Sequence, residues 1–140
     1  MNTILVAVDG SEPGKRAARM AADIARRFDA RLTLAHVVPP MPYPYEDYGW
    51  SRKDLDESHR KTAEALVQTA ERELADFKIP ISRQILWGSP ADKLADAADD
   101  PSVDMVVVGS RGRNLAARTF LGSTSDRLVH TCAKPVLIVR

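Results

Sequence analysis

Glycine and hydroxyl residues form two clusters, one at each end of a single loop. The first, Gly109-Ser110 with Gly112, follows the apolar run Met105 to Val108, and the second is the Gly-Ser-Thr-Ser stretch 122–125. Backbone N–H groups approach a phosphate closely where no Cβ stands in the way, and serine or threonine at a helix start adds hydroxyl donors. Each cluster alone is more typical of a turn or a helix cap, but the two together after an apolar strand predict a phosphate-binding cradle.

Two common nucleotide-binding patterns, G-x-x-x-x-G-K-[ST] and G-x-G-x-x-G, do not occur in the sequence. Any nucleotide is therefore expected to be held in a third way. A further polar corner, Asp9-Gly10-Ser11, follows the first apolar run. Three roles stay open for Asp9: binding of a ribose hydroxyl, help in holding Mg²⁺ through the phosphates, or only a favourable charge at a helix start.

Length and composition restrict the protein to a few classes. The 140 residues suffice for one domain, residues 1–140, and the net charge of +1 gives no field that favours nucleic acid or anionic lipid. The single cysteine, Cys132, cannot form an intramolecular disulfide, and the chain begins with a strand-like run instead of a signal segment. No apolar run reaches the ~20 residues that cross a bilayer. We expect a soluble cytoplasmic protein with no membrane or nucleic-acid partner.

Short runs rich in β-branched residues alternate with helical patterns. The predicted strands are Ile4 to Val8, Leu32 to Val38, Ile79 to Trp87, Val103 to Val108 and Val136 to Val139. Such alternation predicts a single doubly wound α/β domain with a five-stranded parallel sheet of order 3-2-1-4-5 and helices on both faces.

Helix starts and inward faces can also be assigned. Ser11 is expected to cap the first helix and Ser89, followed by Pro90, the third, while the fourth helix follows Ser123. The apolar stripes assign inward positions, among which are Phe28 on the first helix and Val129 on the fourth.

In a sheet of this order, ligands bind beyond the carboxyl ends of the first and fourth strands, where the winding reverses. Asp9-Gly10-Ser11 leaves the first strand, and the Gly109 cluster leaves the fourth. The two polar corners are therefore expected to face each other across one cleft.

The outer strands differ in how they discourage pairing with another sheet. The third strand contains Pro80, Arg83 and Gln84, which disfavour pairing with another sheet, whereas Val136 to Val139 carries no such residue. The last strand is therefore predicted to form a homodimer with a second copy.

The segment Pro39 to Trp50 is rich in proline and contains every tyrosine of the chain. Its prolines exclude a helix or a central strand. It is either a stiff loop that folds its rings over the end of the sheet or a flap that faces the cleft or a partner.

No residue stands out as a catalytic base, and we assign no catalytic residue. His36, His59 and His130 lack metal-ligand spacing and are expected to be structural, as is Cys132.

With these residues in view, the sequence resembles the universal stress protein family along essentially its whole length. The matching stretches are VAVDGSE, LAHVV, GSPADKLADAA, VVVGSRGR and CAKPVLIVR. The spacing in which two residues separate Gly109 from Gly112 and nine separate Gly112 from Gly122-Ser123 resembles that of the ATP-binding branch. The resemblance implies an ATP-binding protein of the stress response that acts on unknown protein partners.

The resemblance also implies roles for single residues. Ala7, Val8 and Asp9 would border the adenosine, with Asp9 near the ribose, and Val37 would offer backbone groups to adenine. The remaining residues would contact ribose and phosphates: Gly109, Arg111, Gly112, Gly122, Ser123, Thr124 and Ser125. Arg113, Arg118 and Arg127 stay unassigned.

Two positions depart from the family pattern. Arg113 and Asn114 stand where many relatives have another glycine, and Thr124 stands where the family often has valine. Asparagine tolerates positive φ, so the turn after Gly112 is still expected.

Three functions remain open at this point. The first is a nucleotide-dependent binding module in which ATP orders the loop from Arg113 to Leu121 and so changes the surface offered to partners. The second is a slow ATPase or a nucleotidyl-transferring enzyme on the same scaffold. The third is an interaction protein with an empty cleft.

Overall fold

A computed structural model describes residues 1–41, 49, 51–111 and 121–140. The other positions include Gly112, most of the loop from Arg113 to Leu121, and most of the segment from Pro39 to Trp50, so the predictions made for them lie outside the described residues. In chain order the elements are β1 (Thr3–Ala7), α1 (Glu12–Arg27), β2 (Arg31–Val38), α2 (Arg52–Glu73), a 3-10 helix (Ala75–Phe77), β3 (Ile81–Trp87), α3 (Pro90–Ala98), β4 (Val103–Gly109), α4 (Ser123–Thr131) and β5 (Val136–Val139).

The five strands form one sheet of order β3-β2-β1-β4-β5, and all neighbours are parallel. The chain winds outward from β1 to β3 and then returns to the other side of β1 with β4. The reversal therefore lies between β1 and β4, where Val6 pairs with Val107. The predicted fold class and strand order are confirmed.

Helices cover both faces of the sheet. Ile4, Val6 and Leu34 point to the face that α1 and α2 cover, where the alanines of α1 pack against them. Leu5, Ala35 and Val37 point to the opposite face, against Leu94 of α3 and Leu128 of α4. Because neighbouring strand residues alternate between the faces, the central strands are buried on both sides.

The helix starts follow the sequence closely, with small differences. The Ser11 hydroxyl accepts a hydrogen bond from the Gly14 N–H at 3.1 Å and so caps α1. Ser89 occupies the cap position of α3, but its side chain makes no capping bond within the described residues. α4 begins one residue earlier than expected, at Ser123, with Gly122 as its cap.

Two apolar residues expected inside are exposed. Phe28 has 60% of its surface accessible because α1 ends at Arg27, one residue before it. Val129 is 41% exposed because its neighbour Leu128 takes the inward position on α4. Both inward assignments were wrong.

Within the part of the chain that the structure describes, no helix combines the length and the apolar character needed to cross a membrane.

Candidate functional site

One cavity lies beyond the carboxyl ends of β1 and β4, at the reversal of the winding. It encloses about 180 Å³. Ten of the eleven predicted site residues line it, namely Ala7, Val8, Asp9, Val37, Gly109, Arg111, Gly122, Ser123, Thr124 and Ser125. The eleventh, Gly112, lies outside the described residues. The structure thus brings the two polar corners together, while their binding roles stay predictions.

Asp9 is held by the corner that follows β1. Its Oδ1 accepts hydrogen bonds from the backbone N–H of Ser11 at 2.9 Å and from the Ser11 hydroxyl at 2.6 Å. The Ser11 hydroxyl oxygen also accepts a hydrogen bond from the Gly14 N–H. The Asp9 carboxylate, the capping serine and the first turn of α1 are thus linked by one chain of hydrogen bonds. These contacts use only Oδ1, so the other carboxylate oxygen is the one available for a ligand.

Two glycines allow this close packing. A Cβ on Gly14 would lie 2.6 Å from Asp9 Oδ1, and a Cβ on Gly109 would lie 2.7 Å from the carbonyl carbon of Pro13. Both distances are shorter than the allowed contact between a Cβ and a non-bonded atom of another residue. Glycine at these positions therefore lets the first turn of α1 lie directly against the end of β4 and beneath Asp9.

The start of α4 forms the opposite wall. The Gly122 N–H donates to the Ser110 carbonyl at 2.6 Å, and the Ser125 hydroxyl donates to the carbonyls of Ser110 at 3.1 Å and Gly122 at 3.0 Å. The Gly122 amide and the Ser125 hydroxyl proton are thus used internally. The first intrahelical bond is donated by Asp126, which leaves the amides of Ser123, Thr124 and Ser125 without a partner from the helix.

These three amides give the wall a positive electrostatic character. The N-terminal turn of a helix carries partial positive charge, and its free N–H groups are typical anion ligands. Ser125 is 2% exposed, so its hydroxyl fixes the turn, whereas Ser123 is exposed and Thr124 is half-buried beside the cavity. Backbone amides, rather than the Ser125 hydroxyl, are the donors that this wall presents.

The floor of the cavity is largely apolar. It is formed by residues of β1, β2, β4 and α3: Ala7, Ala35, Val37, Val108, Pro90 and Leu94. A flat apolar ring system would find contacts here, and the backbone of β2 ends at the same place.

His36 reinforces this floor. Its Nδ1 donates a hydrogen bond to the Val8 carbonyl at 2.7 Å, and Val8 N donates to the Ala35 carbonyl at 2.8 Å. The pairing of β1 with β2 is thereby extended to the residue that precedes Asp9. His36 was predicted to be structural, and this hydrogen bond gives it such a role, although it also lines the cavity.

Several wall residues were missed by reasoning from the sequence: Gly14, Ala35, His36, Pro90, Leu94 and Val108. Ala35 follows from the alternation of β2, since it shares a face with Val37. Pro90 and Leu94 follow from the position of α3 after β3 at the same end of the sheet. Gly14 has no comparable local signal, because it is required by contact with Asp9.

The arginines near the cavity differ in their contacts. Arg111 is exposed and lines the cavity. Arg127 is engaged elsewhere, since its guanidinium lies 3.0 Å from Asp92 of α3. Arg113 and Arg118 lie outside the described residues. Of the described arginines, Arg111 is thus the one placed to meet a negative ligand.

Among the described residues no group of three or more histidine, cysteine or acidic side chains could hold a metal ion. Asp9 is the carboxylate among the described cavity walls. A Mg²⁺ ion near Asp9 would therefore need the phosphates of a ligand for most of its coordination.

A known protein family matches the sequence along the whole chain. The family model described as "Universal stress protein family" matches residues 1–140. The chain belongs to the universal stress protein family.

Individual members of this family resemble the chain over nearly its whole length. A universal stress protein of Thermus aquaticus is 36% identical, and the alignment covers 99% of this chain and 98% of that protein. The structure of the universal stress protein UspA from Lactobacillus plantarum superposes with a TM-score of 0.85 at 27% identity, covering 99% of this chain and 97% of the other. A universal stress protein crystallised in complex with cAMP has a TM-score of 0.76 at 25% identity, covering 99% and 97%.

Proposed function

We propose that this protein binds an adenine nucleotide, with ATP as the first candidate, in the cavity between β1, β4 and the start of α4, and that the bound nucleotide regulates its contacts with partner proteins. The observation that carries the proposal is the meeting of the Asp9 corner with the three amides at the start of α4 that have no hydrogen-bond partner among the described residues. The cAMP complex of a family member supports an adenine nucleotide as the ligand class.

Each part of the nucleotide would meet matching chemistry. The apolar floor and the end of β2 at Val37 would take the adenine ring. The free carboxylate oxygen of Asp9 would accept a hydrogen bond from a ribose hydroxyl, because Oδ1 is already held by Ser11. The amides of Ser123 and Thr124, together with Arg111, would bind the phosphates.

Mg²⁺ is compatible with this arrangement but is secondary to it. A bound Mg²⁺ would neutralise phosphate charge, and Asp9 is the side chain that could add an oxygen ligand. Because Asp9 already accepts two hydrogen bonds, its carboxylate is positioned before any ligand binds. We therefore assign it first to the ribose.

A homodimer through β5 completes the proposal. Val136 to Val139 pair only with β4 among the described strands, and all four residues are half-buried. A second copy that paired with this free edge would bury them further. A cytoplasmic location stays a prediction that rests on the single cysteine.

The experiment that tests the proposal removes one backbone amide and controls separately for the loss of the side-chain hydroxyl. Ser123 is the first residue of α4, and Gly122 before it has φ −71° and ψ 161°. Proline is well tolerated at a first helical position, and the residue before it prefers this extended conformation. Ser123→Pro therefore deletes a single N–H donor while the helix stays intact, and Ser123→Ala is the matched control that keeps the amide and removes the hydroxyl.

Calorimetric titration with ATP, ADP, AMP and cAMP gives the readout. We expect Ser123→Pro to weaken the binding of ATP about tenfold or more, which corresponds to the loss of a charge-assisted hydrogen bond. Ser123→Ala should change the affinity less than about threefold. Equal affinity of both variants and the parent for ATP would contradict the proposed phosphate site.

A further inference from the structure

A second cavity lies between α1 and α2, on the other side of the wall that Val8 and Gly14 contribute to the first. It encloses about 320 Å³, within the range of ~300–1,000 Å³ that small-molecule pockets occupy. Its walls are the first two turns of α1, the second half of α2 with Leu74, and Val8 and Gly10 between β1 and α1. The proposed nucleotide function makes no use of this space.

The gap exists because small side chains of α1 and α2 fill the space between the two helices poorly. Ala18 of α1 and Ala65 and Ala70 of α2 contribute only methyl groups to the cavity. Beyond the end of α2, the Arg26 guanidinium of α1 lies 5.8 Å from the centre of the Phe77 ring. The cavity is thus a local feature of one stretch of the two helices.

The interior and the mouth of this cavity differ in chemistry. Val8 and Leu74 are buried, and Leu66 is half-buried and packs against the same core, so the interior is apolar. The charged lining residues are two cations, Lys15 and Arg19, and one carboxylate, Glu73.

The charged residues that line the cavity, Lys15, Arg19 and Glu73, carry a net charge of +1. The Lys15 ammonium lies 3.6 Å from Glu73 and 3.8 Å from Glu12, so its charge is offset on both sides. Arg19, one turn farther along α1, is exposed and forms no ion pair with any of the described residues. Its guanidinium offers two parallel N–H donors, the geometry that a carboxylate fits.

We propose that the cavity between α1 and α2 is a binding site for a small amphipathic anion, with an apolar chain or ring inside and a single carboxylate at Arg19. Apolar burial supplies most of the affinity, and Arg19 selects the sign of the head group. The site is separate from the nucleotide cavity although both share the Val8 and Gly14 wall.

Two probes with the same tail and opposite charge test this assignment. Octanoate and octylammonium are titrated separately into the isotopically labelled full-length protein, and backbone amide shifts are followed by NMR. Saturable shifts of Ala18 and Ala70 with octanoate, and at least about fivefold weaker binding of octylammonium, are expected. Equal binding of the two probes would overturn the proposal.

The position of the shifts separates this site from the nucleotide cavity. Val8 and Gly14 line both cavities and are uninformative, whereas Ala70 lines only the second and Thr124 only the first. Shifts at Thr124 without shifts at Ala70 would overturn the assignment. Because no nucleotide is added, the result does not depend on the proposed nucleotide function.

Two substitutions complete the test. Ala70→Phe fills the cavity and should weaken octanoate binding about tenfold or more, with folding checked by circular dichroism. Arg19→Glu lies on the surface and leaves the core untouched; it should weaken octanoate binding about fivefold or more. Arg72→Glu makes the same charge change on α2 outside this cavity and should have no effect. Unchanged octanoate affinity in Arg19→Glu would contradict the role of the head group.

Discussion

Gly109 and Pro13 lie in direct backbone contact: a Cβ on Gly109 would come within 2.7 Å of the Pro13 carbonyl carbon and 2.9 Å of its oxygen. Gly109 ends β4 and Pro13 lies in the first turn of α1. The contact therefore fixes the distance between two walls of the proposed nucleotide site, and it involves main-chain atoms that no side-chain movement can relieve.

Gly109→Ala is expected to destabilise the fold. The added methyl group must displace the first turn of α1 or the end of β4, which for overpacking of this kind costs about 1–3 kcal/mol. Urea unfolding followed by circular dichroism measures the loss. Because the clash is with backbone, adding Pro13→Ala should not restore stability. Full stability of Gly109→Ala would show that the two segments separate easily.

Gly14→Ala should behave differently, because its clash is with a side chain. The new Cβ would lie 2.6 Å from Asp9 Oδ1, so the carboxylate must leave its bonds to Ser11. We expect a loss of stability of about 1–2 kcal/mol despite the better helix propensity of alanine.

A double-mutant cycle with Asp9→Ala checks the cause. When the carboxylate is absent, Gly14→Ala should be neutral or stabilising by up to about 1 kcal/mol, since only the gain in helix propensity is left. Equal costs of Gly14→Ala in both backgrounds would rule out the contact with Asp9 as the reason for glycine.

Gly109 and Gly14 show which features of the fold and the site could be predicted from the sequence and which could not. Alternating runs and helix patterns sufficed for the strand order, and the rule for ligand sites in such sheets brought Asp9 and Gly109 to one cleft. Gly14 was missed because glycine is required there by a close contact with Asp9 on the other side of a turn. Neither hydrophobic periodicity nor a sequence motif reveals such a contact. The phosphate donors at the start of α4 were also only partly predicted. The structure shows that the Gly122 amide donates its hydrogen bond to the Ser110 carbonyl.

Asp104 at the opposite end of the sheet should make stability depend on pH. It accepts hydrogen bonds from the backbone N–H groups of Asn2 and Thr3, and these bonds hold the pKa of the Asp104 carboxyl below its ordinary value. A lowered pKa in the folded state means that the stabilisation is complete above the unfolded-state pKa of about 3.9 and is lost as the pH falls through the folded-state value.

The substitution Asp104→Asn isolates this effect. The variant should be less stable than the parent at neutral pH, and the difference should shrink as the pH is lowered below about 4. Urea unfolding of both proteins across this pH range gives the two curves. Parallel curves would show that the charge of Asp104 contributes nothing to the link between β1 and β4.

The proposed dimer depends on which backbone groups of β5 face outward. The carbonyls of Pro135 and Val139 accept hydrogen bonds from Val106 and Ser110, so these residues, and by alternation Leu137, turn their backbone toward β4. Val136 and Ile138 therefore present their N–H and carbonyl groups to the free edge.

Ile138→Pro removes one outward donor and leaves the bonds to β4 in place, since proline is tolerated on the open side of an edge strand. Sedimentation should show a dimer for the parent at micromolar concentration and a monomer, or a dimer weakened about tenfold or more, for the variant. Leu137→Pro is the matched comparison: it removes a donor that faces β4 and should destabilise the monomer itself. If Ile138→Pro sediments as the parent does while it stays folded, any self-association of this protein uses a surface other than β5.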